Sequence, residues 1–209
     1  MTELERALRR AHHDHDHAAA AAGAFLDRAN REGLIDVAYA TVDSPVGELL
    51  VAGTGRGLVR IAFGEMPHDK VLLELAEDVS PRVLEAPGRL DAIRRQLDEY
   101  FEGRRTDFEL TLDWRLSHGF KRRVLGHTAS IPYGRVSTYK TLAAAAGSPR
   151  GARAAGNALG ANPIPIVVPC HRVLHSGGGL GGYGGGLDRK QFLLKLEGAL
   201  GEEKLAPEF

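Results

Sequence analysis

Beyond residue 33 the hydrophobic positions first recur in twos. Ile35–Asp43 is predicted as a strand, Ser44-Pro45-Val46-Gly47 as a turn and Glu48–Ala52 as its hairpin partner. Gly53-Thr54-Gly55-Arg56-Gly57 makes a second turn before a third strand, Leu58–Phe63. The period then lengthens to that of a helix around Lys70–Asp78. It does so more clearly over Arg89–Glu102, where Leu90, Ile93, Leu97 and Tyr100–Phe101 share one face. Phe108–Leu112 is predicted as a further short strand. No repeat and no catalytic constellation stands out in this half, which reads as a scaffold.

From Trp114 helical periods dominate. Ser117–Ser130 spaces Phe120, Val124, Leu125 and Thr128 for burial, and Ile131-Pro132-Tyr133-Gly134 ends it. Ser137 or Thr138 can cap a helix over Tyr139–Ala146 that stops at Gly147. Ser148 is predicted to cap the next helix, with Pro149 in its first turn, running to about Gly160. Two short helices joined by Gly-Ser-Pro outline a helix-turn-helix. The second, PRGARAAGNALG, is nearly bare of side chains apart from Arg150 and Arg153. Such a helix can approach a duplex groove closely, by shape and backbone rather than base readout, or pack tightly inside a protein core.

Composition narrows the classes. The 209 residues are 43% hydrophobic, enough for a buried core, and no apolar run is long enough to span a membrane. The N-terminus lacks a secretory signal, so the expected location is cytoplasmic. The formal charge is zero, yet residues 1–114 hold 14 Lys/Arg against 22 Asp/Glu, while residues 115–199 hold 12 against two. A basic region of that strength attracts polyanions, or docks on an acidic neighbour. In residues 1–33, His12, His13, His15 and His17 alternate with acidic residues and could hold a transition metal. Histidines so close fit a coordination polyhedron poorly, and a solvated tract is the preferred reading.

Cys170 is the only cysteine, which excludes an internal disulfide. It follows Ile164–Val168, an apolar run predicted as a buried strand, and precedes His171 and Arg172. Basic surroundings and an imidazole lower a thiol pKa and favour the nucleophilic thiolate. On a strand, adjacent side chains point to opposite faces, so a Cys170–His171 link is expected to run through water. Residues 176–186 contain eight glycines in eleven positions, with Tyr183 the one large side chain. They form a loop able to close over a flat ligand, without the Gly-Lys-Ser/Thr of a phosphate loop. An amphipathic helix resumes over Leu187–Glu197.

Pro169-Cys170-His171-Arg172-Val173 resembles the active-site signature of the O6-alkylguanine-DNA alkyltransferases. The resemblance extends to Ile131-Pro132-Tyr133-Gly134, Tyr139, Arg153, Asn162-Pro163, Gly182-Tyr183 with Gly185-Gly186-Leu187, and Leu196-Glu197-Gly198. It is close over residues 115–199 and general over 35–113. It implies an α+β fold: an extension at 1–33, a ribonuclease H-like scaffold of small antiparallel sheet and helices at 34–113, a winged helix-turn-helix-like domain at 114–200 carrying the cysteine, and a tail at 201–209. It also implies a one-shot repair reaction without cofactor or metal. Cys170 would take the alkyl group from O6 of guanine, or O4 of thymine, in double-stranded DNA. His171 would act as base through water, oriented by Glu197. Tyr139 would bond the departing guanine, Arg153 would fill the gap left by the flipped nucleotide, and Asn162 would support the turn. Leu159, Val173 and Tyr183 would line the base pocket.

The implied protein is a monomer, able to assemble cooperatively on DNA, with its bare helix in the minor groove. Phe120-Lys121 and Val124-Leu125 depart from the family's usual Phe-Gln and Val-Trp, and Gly184 offers the substrate oxygen only backbone. One cysteine excludes the zinc site that some members build from cysteines. The competing readings are a binding-only relative, a Cys–His hydrolase and a helix-turn-helix regulator.

Overall fold

The computed structural model describes residues 21–200 apart from 22, 27 and 30. The chain divides into two compact units, one ending at Asp36 and the other beginning at Val37. In the first, the described residues between 21 and 29, and Arg31, are helical. The His-Asp tract and the tail 201–209 lie outside the described residues.

The second unit opens with a sheet of order β3-β2-β1-β4, built from β1 (Val37–Val42), β2 (Leu49–Thr54), β3 (Gly57–Phe63) and β4 (Val83–Glu85). The first three form two antiparallel hairpins, with Val37 opposite Thr54 and Val42 opposite Leu49. β4 was not predicted, because three residues carry no period, and it pairs parallel to β1. The sheet is therefore mixed rather than wholly antiparallel. α1 (His68–Asp78) buries Val71 and Leu75 against Val37, Leu50, Ala52, Val59 and Ala62.

The helix predicted over Arg89–Glu102 is split into a 3-10 turn, Pro87–Leu90, and α2 (Asp91–Phe101), which buries Leu97 and Tyr100 completely. Phe108–Leu112 is not a strand. It makes one bridge, Leu112 with Leu58, and the Leu58 N–H donates to the Thr111 carbonyl at 2.9 Å. That approach needs Gly57, whose φ is 128° and whose missing Cβ would lie 2.1 Å from the Thr111 oxygen.

After a 3-10 turn at Trp114–Leu116 come α3 (Gly119–Ala129), α4 (Tyr139–Ala145), α5 (Ala152–Gly160) and α6 (Leu187–Leu196). α3, α4 and α5 pack on one another through Val124, Leu125, Leu142, Ala143, Ala155 and Ala158. Two short strands, β5 (Ser137–Thr138) and β6 (Val173–Leu174), pair in parallel. Thr138 caps α4 by accepting the Thr141 N–H at 3.1 Å. α5 begins at Ala152 rather than beside Ser148. The Ser148 N–H closes the end of α4 on Ala143, and its carbonyl accepts the Gly151 N–H, so Ser148 belongs to the preceding turn. No described helix is long and apolar enough to cross a membrane.

Candidate active site

The segment leading to Cys170 is buried turn, not the predicted strand. Asn162 prevents the strand by bonding its own backbone neighbours. Its Oδ1 accepts the Ile164 N–H at 3.0 Å and its Nδ2 donates to the Val168 carbonyl at 2.8 Å. Ile166 has φ 73°, and the Val167 N–H reaches the Pro165 carbonyl at 2.9 Å. This is the rare, strained form of the γ-turn, held by a β-branched residue that seldom adopts it. Pro169 makes the common inverse form, bringing the Cys170 N–H to the Val168 carbonyl at 2.8 Å. Cys170–Arg172 then form one turn of 3-10 helix, so the alternation expected of a strand does not govern Cys170 and His171.

Cys170 is 7% exposed, and its sulfur accepts from Asn162 Nδ2 at 3.2 Å. Beside it opens a cavity of about 610 Å³. Ala152, Arg153, Gly156, Asn157, Leu159 and Gly160 of α5 line it at helical spacing, while Ala155 and Ala158 face the core. Tyr139, Tyr183, Gly182 and Gly184 complete the wall. Burial pushes the Cys170 thiol up, and the Asn162 bond and the Lys190 charge offset only part of that. The expectation of a lowered thiol pKa is therefore overturned. The resting sulfur is a protonated thiol, because it sits in a desolvated crevice rather than on the basic surface.

Behind the sulfur, Glu197 gathers four hydrogen bonds. They come from His171 Nε2 at 2.9 Å, Arg172 Nε at 2.8 Å, Arg172 Nη2 at 2.9 Å and the Tyr100 hydroxyl at 2.6 Å. Burial alone would raise the Glu197 carboxyl. The bonds from His171, Arg172 and Tyr100 outweigh burial and bring it down to about 2. Facing an ionised carboxylate, His171 Nε2 must carry the hydrogen, which leaves Nδ1 as a lone-pair base. Nδ1 is buried without a protein partner. Burial keeps the ring neutral by pulling its pKa down against the pull of Glu197.

The glycine-rich loop is anchored from inside. Lys190 is fully buried and donates to the Val173 carbonyl at 2.7 Å, to that of Leu180 and to that of Gly182 at 3.4 Å. Burial pulls its pKa down to about 8. The Tyr139 hydroxyl donates to the same Gly182 carbonyl at 3.3 Å. Gly181 has φ 68°, and a Cβ there would meet Tyr139 Oη at 2.5 Å, so this close approach needs glycine. Tyr183 stands edge-on to both Phe63 and His171.

Eight of the nine site residues chosen from sequence thus converge: Cys170, His171 and Glu197 at the sulfur and behind it, Asn162 against it, and Tyr139, Arg153, Leu159 and Tyr183 around the cavity. Val173 does not line the cavity; it is buried in β6, where its carbonyl receives Lys190. Sequence reasoning missed Tyr100 and Lys190. Lys190 left a signal, a lysine in register with Leu193, Leu194 and Glu197 on one helix face. Tyr100 left none, since it continues the apolar face of α2.

Two family models match the chain. The 6-O-methylguanine DNA methyltransferase ribonuclease-like domain covers residues 37–114, and the DNA binding domain of the same name covers 119–199. The chain belongs to this family. A methylated-DNA–protein-cysteine methyltransferase from Mycolicibacterium paratuberculosis is 43% identical to it over 161 residues, 77% of this chain and 92% of that protein. The crystal structure of the Mycobacterium tuberculosis O6-methylguanine methyltransferase superposes with a TM-score of 0.67 at 38% identity, covering 83% of this chain and 96% of that one. A structure of M. tuberculosis OGT in complex with DNA gives 0.66 at 39% identity, over 78% and 93% of the two chains. The family's two matched regions meet at the Tyr100–Glu197 bond, so both halves of the fold reach the buried Glu197 carboxylate.

Proposed function

We propose that the protein repairs O6-alkylguanine in duplex DNA by moving the alkyl group irreversibly onto Cys170, once per molecule. The cavity between the sulfur, the Arg153 helix and the Tyr183 loop carries this reading. At about 610 Å³ it has room for a base that has left its stack, and Cys170 is among the residues that line it. The bare face of α5 would enter the minor groove and Arg153 would occupy the vacated place in the stack. The division at about residue 113 then separates a scaffold from the part that touches DNA.

The chemistry follows from the charge states. The Cys170 proton passes through a water to His171 Nδ1, and Glu197 stabilises the imidazolium so formed. The thiolate attacks the alkyl carbon in line: the S–C bond forms as the C–O6 bond breaks. Guanine departs with the bonding pair, with the Tyr139 hydroxyl bonding its N3, and regains in net, through water, the proton held on the His171 imidazolium, which returns His171 to its neutral state. The thioether has no leaving group better than the one displaced, so the reaction stops there. O4-alkylthymine presents the same carbon–oxygen bond and fits the same scheme.

The test is mass spectrometry of the intact protein after incubation with duplex carrying O6-methylguanine. One added methyl per chain is expected, with none on Cys170→Ser, which still binds the duplex. Repeated turnover would favour the Cys–His hydrolase instead, and binding without transfer by the native chain would reduce it to a recognition protein.

A further inference from the structure

The Tyr100 hydroxyl is the one donor on Glu197 supplied by the region 37–114, and nothing in the reaction scheme above uses it. Its ring is held apart from its hydroxyl: Phe101, Phe108 and Tyr133 pack around the ring, while the oxygen reaches Glu197 Oε1 at 2.6 Å. The same Oε1 accepts from His171 Nε2 and from Arg172 Nη2, each at 2.9 Å. Donors that share one oxygen compete for its charge, so loss of the Tyr100 bond strengthens those that remain, the His171 bond among them.

We propose that Tyr100 is a positioning residue that tunes the basicity of His171 through Glu197, making the ribonuclease-like region part of the proton relay. This rests on the alkyl-transfer reading. The sign is fixed by the geometry. With the hydroxyl in place, part of the Oε1 charge is spent on Tyr100, and the hold on the imidazolium is weaker. Without it, Oε1 grips the Nε2 hydrogen harder, His171 becomes more basic, and its free Nδ1 is protonated at higher pH. The other groups facing this pair are Arg172 and Tyr133 beside Glu197, and Lys190, Cys170 and Tyr183 around His171. None of them loses a contact when only the Tyr100 oxygen is removed. Burial holds the Tyr100 hydroxyl protonated, so it donates throughout the working range.

The experiment is single-turnover methyl transfer from O6-methylguanine duplex as a function of pH, comparing the native chain with Tyr100→Phe. The acid limb of the rate is expected to move to higher pH by about half a unit to one unit, a fraction of a hydrogen bond to a charged group, since His171 feels the Tyr100 bond only through the shared oxygen. Replacing Tyr100 site-specifically by 3,5-difluorotyrosine keeps the ring and strengthens the donor; its limb should move to lower pH. This second arm reads the effect even if Tyr100→Phe does not fold. Phe108→Leu, which loosens the ring packing and leaves the hydroxyl, should lower the melting temperature with the limb unmoved. A uniform rate loss without a shift, or shifts of the same sign in both Tyr100 replacements, overturns the proposal and leaves Tyr100 a packing residue. Absence of transfer by the native chain would instead sink the alkyl-transfer reading itself.

Discussion

At the scale of single residues, the site stores reactivity rather than displaying it. A buried thiol held up and a buried imidazole held down coexist uncharged, beside three buried charged groups, the Glu197 carboxylate, Arg172 and Lys190. Glu197→Gln tests how much of the molecule depends on that carboxylate. It leaves Arg172 buried without its counter-charge, which costs about 3–5 kcal/mol by urea unfolding near neutral pH. The folded carboxyl lies at about 2, below the ordinary value of 4.5, so its stabilising contribution is complete above 4.5 and is lost as pH falls toward 2. His171, lowered from 6.5, adds a loss of the same sign that begins as pH drops through 6.5. The gap between native and variant stability should therefore narrow steadily from pH 4.5 downward; a constant gap would mean the carboxylate is not the group responsible. Cys170, His171 and Glu197 were legible because a signature places them in one reading frame. Tyr100 was not, since a hydroxyl on an otherwise apolar helix face gives no hint of a partner 97 residues away.

At the scale of elements, local periodicity located every α-helix of the second unit and three of its six strands, missing those of two or three residues, and it failed where side chains captured backbone. The run Ile164–Val168 has strand composition, yet Asn162 and two prolines turn it into a chain of tight bends that aims Cys170. The glycine loop shows the complementary case: its sequence suggests freedom, and a buried lysine removes it. Lys190→Met would remove this donor from the Val173 and Leu180 carbonyls and leave Gly182 only the Tyr139 hydroxyl, while keeping the apolar stem. Amide exchange at His175, Gly178 and Gly186, which close this loop's own hydrogen bonds, should accelerate about tenfold or more, with slower methyl transfer. With its pKa at about 8, native Lys190 sheds its charge and one donor hydrogen above that pH, so the same amides should loosen in the native chain once intrinsic base catalysis is subtracted. Exchange indifferent to the substitution would show that the loop holds itself.

At the scale of the whole molecule, the charge split visible in the sequence acquires a direction. Arg135, Lys140, Arg150 and Arg153 are exposed on or beside the helices that frame the cavity, while the acidic surplus of residues 1–114 belongs to the other half. A neutral protein thus presents one strongly basic region, and DNA association should be dominated by phosphate neutralisation there. Three such contacts, from Arg135, Lys140 and Arg150, imply that log K for undamaged duplex falls against log salt with a slope of about −2.7. Lys140→Ala combined with Arg150→Ala should flatten that slope by about two and weaken damaged and undamaged duplex alike. Arg153→Ala should behave differently, because a side chain that replaces a base in the stack acts on extrusion rather than on the phosphates. It should slow transfer in duplex by a factor reflecting a few kcal/mol of unstacking while leaving transfer from single-stranded oligonucleotide nearly unchanged. Equal losses on both substrates would reassign Arg153 to the basic surface, and with it the claim that α5 performs the flipping.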